Sequence, residues 1–343
     1  MKTLAIWAPN DYLKDQLFNE ASNLNRDNCL AAFRLLKKKL ENEGGQCHTY
    51  DVYRSQGHIP VAVLFLDMPS LPLQKTLKDW YGKVRSYLLL QECEVIRPDN
   101  WDLNNHSDFN KIFTWHDEFI DNKKYFKVNF SFDFLNIPTQ KDLSTKNKPC
   151  TLIAGHKKSS HPLELYSHRQ EAIRWFEKNH LTEFDLYGQG WDEYRFEGKK
   201  ISRVLNRIKL LTRYLAPEFP SYIGKVEVKY NILSSYKFAI CYENAQNIPG
   251  YITEKIFDCF FASCVPIYWG ANNISEHIPN DCYIDKRNFP SYEDLYNFIT
   301  NINMSTYLHY LISIDNFLKS QKAYQFTCDH FSNTIIREIY HNK

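Results

Sequence analysis

Apolar residues in this chain fall into short unbroken runs separated by amphipathic stretches, the pattern of buried strands alternating with half-buried helices. "TLAIWA", from Thr3 to Ala8, predicts a strand, and "NCLAAFRLLKKKLENEGG" predicts a helix whose double Gly suits a C-cap. "CHTYDV" and "VAVLFLD" predict two further strands. An amphipathic helix from about Leu73 leads to the apolar run "YLLL" and then to a polar loop holding Gln91, Glu92, Cys93 and Glu94. "KIFTWHDEFID" and "YFKVNFSFDF" are strand candidates that complete a first α/β unit. "LNIPTQKDLSTKNKPC", residues 135–150, is polar, holds two prolines and has no apolar period, so a linker is expected there.

The pattern then restarts. "CTLIAG", "FDLYGQGW", "YKFAICYEN" and "VPIYWGA" read as strands, with "HRQEAIRWFEKNH" and "TEKIFDCFFASC" as the helices between them, which implies a second parallel sheet. From "SYEDLYNFIT" onward the spacing is helical. Two doubly wound units joined by a linker bind ligands in the cleft between them, at the carboxyl ends of strands.

The loops after strands therefore carry the candidate chemistry. In "YENAQNIPGYITEKIFDCFF" a strand ends at Glu243 and Asn244, and a helix begins near Thr253, whose hydroxyl suits an N-cap. Ile256, Phe257, Phe260 and Phe261 form its apolar face, leaving Tyr251, Glu254 and Lys255 beside the strand ends. A helix N-terminus with a lysine favours phosphate, while a carboxylate such as Glu254 suits paired ribose hydroxyls, so a nucleoside diphosphate would use both. Tyr251 would stack on a ring or donate its hydroxyl. Arg169, near the start of the helix after "CTLIAG", would clamp a diphosphate. In the first unit Glu92 and Glu94 share a face if their strand persists, and either could serve as general base toward an acceptor hydroxyl.

Composition narrows the alternatives. With 42 basic and 40 acidic residues the net charge is +2, too small a field to gather nucleic acid. Nine cysteines without a CxxC read as free buried thiols of a reducing compartment. The first apolar run is too short for a signal-peptide core, and no run approaches the ~20 apolar residues of a membrane span, so a cytoplasmic protein is expected. There is no Walker A, GxGxxG or GxSxG motif, and no HExxH or Asp-x-Asp pair, so no metal ligand is assigned.

Residues 236–271, "YKFAICYENAQNIPGYITEKIFDCFFASCVPIYWGA", closely resemble the signature region of the α-1,3/4-fucosyltransferases, glycosyltransferase family 10. "FDLYGQGW" is similar to that family's Tyr-Gly-x-Gly-Trp turn, and "IGKVEVKYNILSSYKF" to its lead-in. The resemblance implies a GT-B fold: an acceptor-binding Rossmann-like domain at 1–140, a GDP-fucose domain at 148–305 and a C-terminal helical segment at 306–343. It implies transfer of L-fucose with inversion from GDP-fucose to a 3- or 4-hydroxyl of an N-acetylglucosamine- or glucose-type residue in a glycan. Arg169, Glu243, Asn244, Tyr251, Glu254 and Lys255 match donor-binding positions. Glu92 matches a catalytic Glu carried by bacterial members, but stands in "QECE" where they have Gly-Glu-Asn-Glu; Glu94 is assigned to the acceptor side and remains the alternative base. No cofactor or metal is required on this reading, although a divalent ion could stimulate. The C-terminus, "FSNTIIREIYHNK", lacks the heptads or basic amphipathic tail of some bacterial relatives, which leaves only a loose contact with the inner face of a membrane open. The rival readings are a GDP-sugar transferase using another sugar and a glycan-binding relative without catalysis.

Overall fold

The predicted strand runs assemble into two six-stranded sheets in the computed structural model, which describes residues 1–134, 143–146, 148–196 and 200–341. The first sheet comprises β1 (Thr3–Trp7), β2 (Gln46–Thr49), β3 (Ala62–Leu66), β4 (Arg85–Leu90), β5 (Lys111–Thr114) and β6 (Tyr125–Lys127), in the order β2-β1-β3-β4-β5-β6. The second comprises β7 (Lys148–Ile153), β8 (Phe184–Tyr187), β9 (Tyr222–Gly224), β10 (Tyr236–Tyr242), β11 (Val265–Trp269) and β12 (Ile284–Asp285), in the order β12-β11-β10-β7-β8-β9. Every strand pairing is parallel.

Parallel sheets are covered on both faces, which is why their strands read as continuous apolar runs. In β3, Ala62 and Leu64 pack toward Leu36 and Leu40, whereas Val63 and Phe65 pack toward Tyr53, Leu73 and Trp80. The helix Ala31–Asn42 buries Ala32, Phe33, Leu36 and Leu40 along one stripe. It ends in the Schellman geometry that the double Gly predicts: Gly44 takes φ +73°, its N–H donates to the Glu41 carbonyl at 3.0 Å, and Gly45 N–H donates to the Leu40 carbonyl at 2.8 Å.

Several expected boundaries move. "CHTYDV" is a strand only to Thr49; Tyr50 opens the short helix Tyr50–Ser55, where its ring stacks on Trp7 at 3.8 Å. β5 is shorter than its run because a turn at Asp117–Phe119 follows it, and β6 because Phe130 to Phe134 leave the sheet and cross toward the second unit. There the Phe132 ring stacks on Phe257 at 4.6 Å. Most of the expected linker, 135–150, lies outside the described residues, although β7 begins within it at Lys148. The sequence pattern did not predict β9, β12 or the short helices Lys200–Leu205, Lys209–Tyr214 and Lys229–Leu233. Eight of the nine cysteines are buried free thiols and Cys29 is an exposed one. Among the described residues no helix is long and apolar enough to cross a membrane.

The C-terminal helices are Tyr292–Asn301, Met304–Leu318 and Cys328–Ile336. The last does not stay with the sheet that precedes it. Phe331, Ile335, Ile336 and Ile339 join the core of the first sheet, Phe331 meeting Phe33 edge-on at 5.4 Å, and Lys111 pairs with the buried Glu338 at 3.0 Å. The return crossing lies beside the outgoing one: Phe132 N–H donates to the Phe326 carbonyl at 2.8 Å and Cys328 N–H to the Phe132 carbonyl at 3.0 Å. The chain end is thus a wall of the first unit. Phe331→Ala should lower unfolding free energy by about 3 kcal/mol in urea titration; a loss below about 1 kcal/mol would mean that this helix is not part of the core.

Candidate active site between the two sheets

Two cavities of about 730 and 450 Å³ open between the carboxyl ends of the sheets and share Glu92, Lys229, Glu254 and Asp258 in their linings. The walls are drawn together at one point. Asp117, in the loop after β5, accepts from Lys127 Nζ at 2.6 Å, from Asn273 Nδ2 at 2.8 Å and bonds His277 Nε2 at 2.7 Å. Burial acts to raise the Asp117 carboxyl, but the bonds from His277 and Lys127 outweigh it and hold it well below the usual range. Gly250 closes the seam: with φ +80° it sits so near the first unit that a Cβ would stand 2.2 Å from the Trp115 carbonyl oxygen.

On the second sheet, the residues after β10 build a polar knot. Glu243 is fully buried, with Oε1 accepting from Thr253 N–H at 2.8 Å and Oε2 from the Thr253 hydroxyl at 2.6 Å. Thr253 gives the helix Glu254–Phe261 no side-chain cap, contrary to the expectation from its hydroxyl, because that hydroxyl is turned to Glu243 and its oxygen accepts from Lys255 instead. Lys255 Nζ lies 3.3 Å from Glu243 Oε2, 3.4 Å from Glu254 Oε1 and 3.0 Å from the Thr253 hydroxyl oxygen. Burial would lower the Lys255 pKa, but the two carboxylates prevail and raise it, so the lysine enters the cavity as a cation. Glu254 is drawn down to about 2, with Lys255 and Lys229 overcoming the opposite effect of burial. Gly270 permits the knot, since a Cβ there would lie 2.5 Å from Glu243 Cγ.

Arg169, in the helix Tyr166–Asn179, is 4% exposed. Its Nη2 donates to the carbonyls of Tyr242 and Glu243, both at 2.7 Å, and to Asn244 Oδ1 at 3.0 Å, while Nε and Nη1 carry no hydrogen bond among the described residues. The Asn244 amide donates to the Tyr251 hydroxyl at 3.3 Å. Tyr251 lines the smaller cavity but is only 1% exposed. Its ring packs on Trp115 of the first unit at 4.7 Å and on Phe130 at 6.3 Å, which corrects the expectation of a free stacking face. The "YGQGW" turn supplies the floor: a Cβ on Gly188 would lie 1.9 Å from the Ala154 carbonyl oxygen, and Trp191 Nε1 donates to that oxygen at 2.7 Å.

On the first sheet β4 stops at Leu90, so Glu92 and Glu94 do not alternate along a strand as expected. Glu92 lines both cavities, and its carboxylate has no hydrogen-bond or ion-pair partner among the described residues. Burial, then the charge of Asp67, raises its pKa. Asp67 also fixes the loop, since its Oδ1 accepts from Gln91 N–H at 2.7 Å, Glu92 N–H at 3.2 Å and Asn100 Nδ2 at 2.7 Å. Glu94 lines neither cavity and stands 3.9 Å from His161 Nε2 instead. Of the expected residues, Glu92, Arg169, Asn244, Tyr251, Glu254 and Lys255 meet at one cavity, Glu243 lies behind them, and Glu94 is turned away.

Among the charged lining residues that were missed are Arg26, Lys157, Lys229, Asp258 and Asp27. Lys229 Nζ pairs with Asp258 at 2.7 Å, and its backbone N–H donates to Asp27 Oδ1 at 3.0 Å, tying a loop of the first unit to the second. Burial pushes Asp258 up to about 7 against the pull of Lys229. Asp258 was legible as the i+4 partner of Glu254 on the same helix face. Asp27, in a loop without periodicity, left no such sign.

Residues 143–332, more than half of the chain, match Glycosyltransferase family 10 (fucosyltransferase) C-term. The chain belongs to this family. A segment of 74 residues is 35% identical to alpha-(1,3)-fucosyltransferase FucT of Helicobacter pylori, covering 22% of this chain and 15% of that protein. Another of 63 residues is 38% identical to an alpha-(1,4)-fucosyltransferase of Arabidopsis thaliana, covering 18% and 16%. The chain thus matches under a fifth of the length of either relative. A crystal structure of alpha1,3-fucosyltransferase with GDP-fucose superposes with a TM-score of 0.54 at 13% identity, over 100% of this chain and 91% of the other. An alpha-glucosyltransferase in complex with UDP and a 13-mer DNA gives 0.57 at 10% identity, over 98% of both. The two doubly wound sheets are those of a GT-B glycosyltransferase.

The seam has a direct test. Gly250→Ala should cost at least about 2 kcal/mol in urea titration, since the new Cβ meets a backbone oxygen and the residue is held at positive φ; a neutral substitution would contradict this closure.

Proposed function

We propose that this family 10 member transfers L-fucose from GDP-fucose to a 3- or 4-hydroxyl of an N-acetylglucosamine- or glucose-type acceptor residue, with inversion and with Glu92 as general base. The observation that carries the reading is the Glu92 carboxylate, unpaired among the described residues at the junction of two cavities, with its proton affinity raised by burial and by Asp67. A carboxylate of that kind is poised to take a proton. Across the cleft stand the cations that a leaving diphosphate needs.

In the proposed reaction the acceptor oxygen bonds the anomeric carbon as its proton passes to Glu92, and the bond from that carbon to the diphosphate oxygen breaks on the opposite face. Arg169, through Nε and Nη1, and Lys255 stabilise the charge growing on GDP, aided by the uncapped start of the helix Glu254–Phe261. Glu254 takes the ribose hydroxyls. Asn244 and Tyr251 act by positioning, since their polar groups are joined to Arg169 and to each other. With protein cations at the diphosphate, we propose that the reaction proceeds without a required metal.

Glu92→Gln should leave GDP-fucose affinity unchanged in calorimetry and cut transfer by about 10²–10⁴; the same loss from Glu94→Gln would contradict the assignment. Because the base must be ionised, the rate should fall as pH drops through the raised pKa of Glu92. Asp67→Asn removes a charge that helps raise that pKa, so the acid limb of the pH profile should move to lower pH. An unmoved limb would contradict the electrostatic part of the account.

A further inference from the structure

The segment between β8 and β9 carries a surface that sugar transfer does not explain. Within residues 204–215, Val204, Ile208, Leu210, Tyr214 and Leu215 are all exposed, and Leu210 at 85% and Tyr214 at 86% are the most exposed large apolar side chains among the described residues. These positions are held outward by built structure. Thr212 is buried and its carbonyl accepts from Tyr194 N–H at 2.7 Å. The Asn206 side chain brackets the Phe196 backbone, accepting at 2.8 Å and donating at 3.0 Å.

Charge accompanies the apolar tips. From Arg195 to Leu215 the sequence carries Arg195, Lys199, Lys200, Arg203, Arg207, Lys209 and Arg213 against the single acidic residue Glu197, in a chain whose net charge is only +2. Arg207 and Arg213 are exposed and form no ion pair among the described residues, whereas Lys209 pairs with Glu193 at 2.7 Å. We propose that residues 204–215 dock the molecule on an anionic lipid surface, with Leu210 and Tyr214 entering the interface and Arg207 and Arg213 meeting the headgroups. The cores of protein interfaces are depleted in charge. Here Arg207 and Arg213 alternate with protruding apolar residues, the arrangement that a lipid interface accommodates by letting cationic heads reach the headgroup layer. Gly188 and Gln189 before the segment and Val226 after it line the smaller cavity, so docking would hold the lipid surface beside the cleft wall.

Cosedimentation of the full chain with vesicles tests the proposal. Mixed phosphatidylcholine–phosphatidylglycerol vesicles should bind the protein and pure phosphatidylcholine vesicles should not. Leu210→Ser with Tyr214→Ser, and separately Arg207→Gln with Arg213→Gln, should each reduce binding by about tenfold or more while GDP affinity in calorimetry stays unchanged. Failure of the unaltered chain to bind mixed vesicles would overturn the proposal, as would binding that both double variants retain. A dimer that Leu210→Ser with Tyr214→Ser converts to monomer, without vesicle binding, would assign the patch to a second copy of the chain and likewise overturn it.

Discussion

A carboxylate without solvent holds the site together. Glu243 is buried at the end of a central strand, where an unpaired charge would cost several kcal/mol, and it is satisfied by the Thr253 backbone and hydroxyl and by Lys255. Each partner is thereby fixed in place: the helix must start where it does, its first turn is left uncapped, and Lys255 must stand in the cavity wall. The neighbouring Gly270 belongs to the same constraint, because a side chain there would displace Glu243. What reads as a ligand-binding motif is in large part a folding device that presents two cavity-lining residues, Glu254 and Lys255.

The opposite wall is organised by a second carboxylate. Asp67 ends a strand of the first sheet, gathers the backbone of the next strand end through its hydrogen bonds and lifts the pKa of Glu92 by its charge. Glu92 and the cations Arg169 and Lys255 come from different units, so their juxtaposition depends on the seam between them. That seam is made by Asp117 with Lys127, Asn273 and His277, by Gly250 against Trp115, and by the chain crossing twice at Phe132.

Sequence reading recovered what depends on local pattern. Parallel strands were visible as apolar runs, the helix C-cap as a double Gly, and the cavity wall after β10 as the order strand, polar loop, Gly-Tyr, helix. It failed where distant contacts decide. Tyr50 enters a helix because its ring lies on Trp7, and Tyr251 is packing because Trp115 and Phe130 cover it. Thr253 is not a cap because its hydroxyl is turned to Glu243 and accepts from Lys255 instead of from the helix backbone, and Glu94 leaves the cleft because β4 ends at Leu90. The crossover between β8 and β9 was missed because its apolar residues face outward, where no burial imposes a period.

The central claim is that this cleft moves fucose from a guanine nucleotide to a sugar hydroxyl using protein groups alone. The most direct measurement is GDP release from GDP-fucose with EDTA present, with and without an N-acetyllactosamine acceptor, with GDP-mannose and UDP-galactose as competing donors. The account predicts release that the acceptor stimulates and that only GDP-fucose supports. No interaction with GDP-fucose, or equal turnover of GDP-mannose, would contradict it.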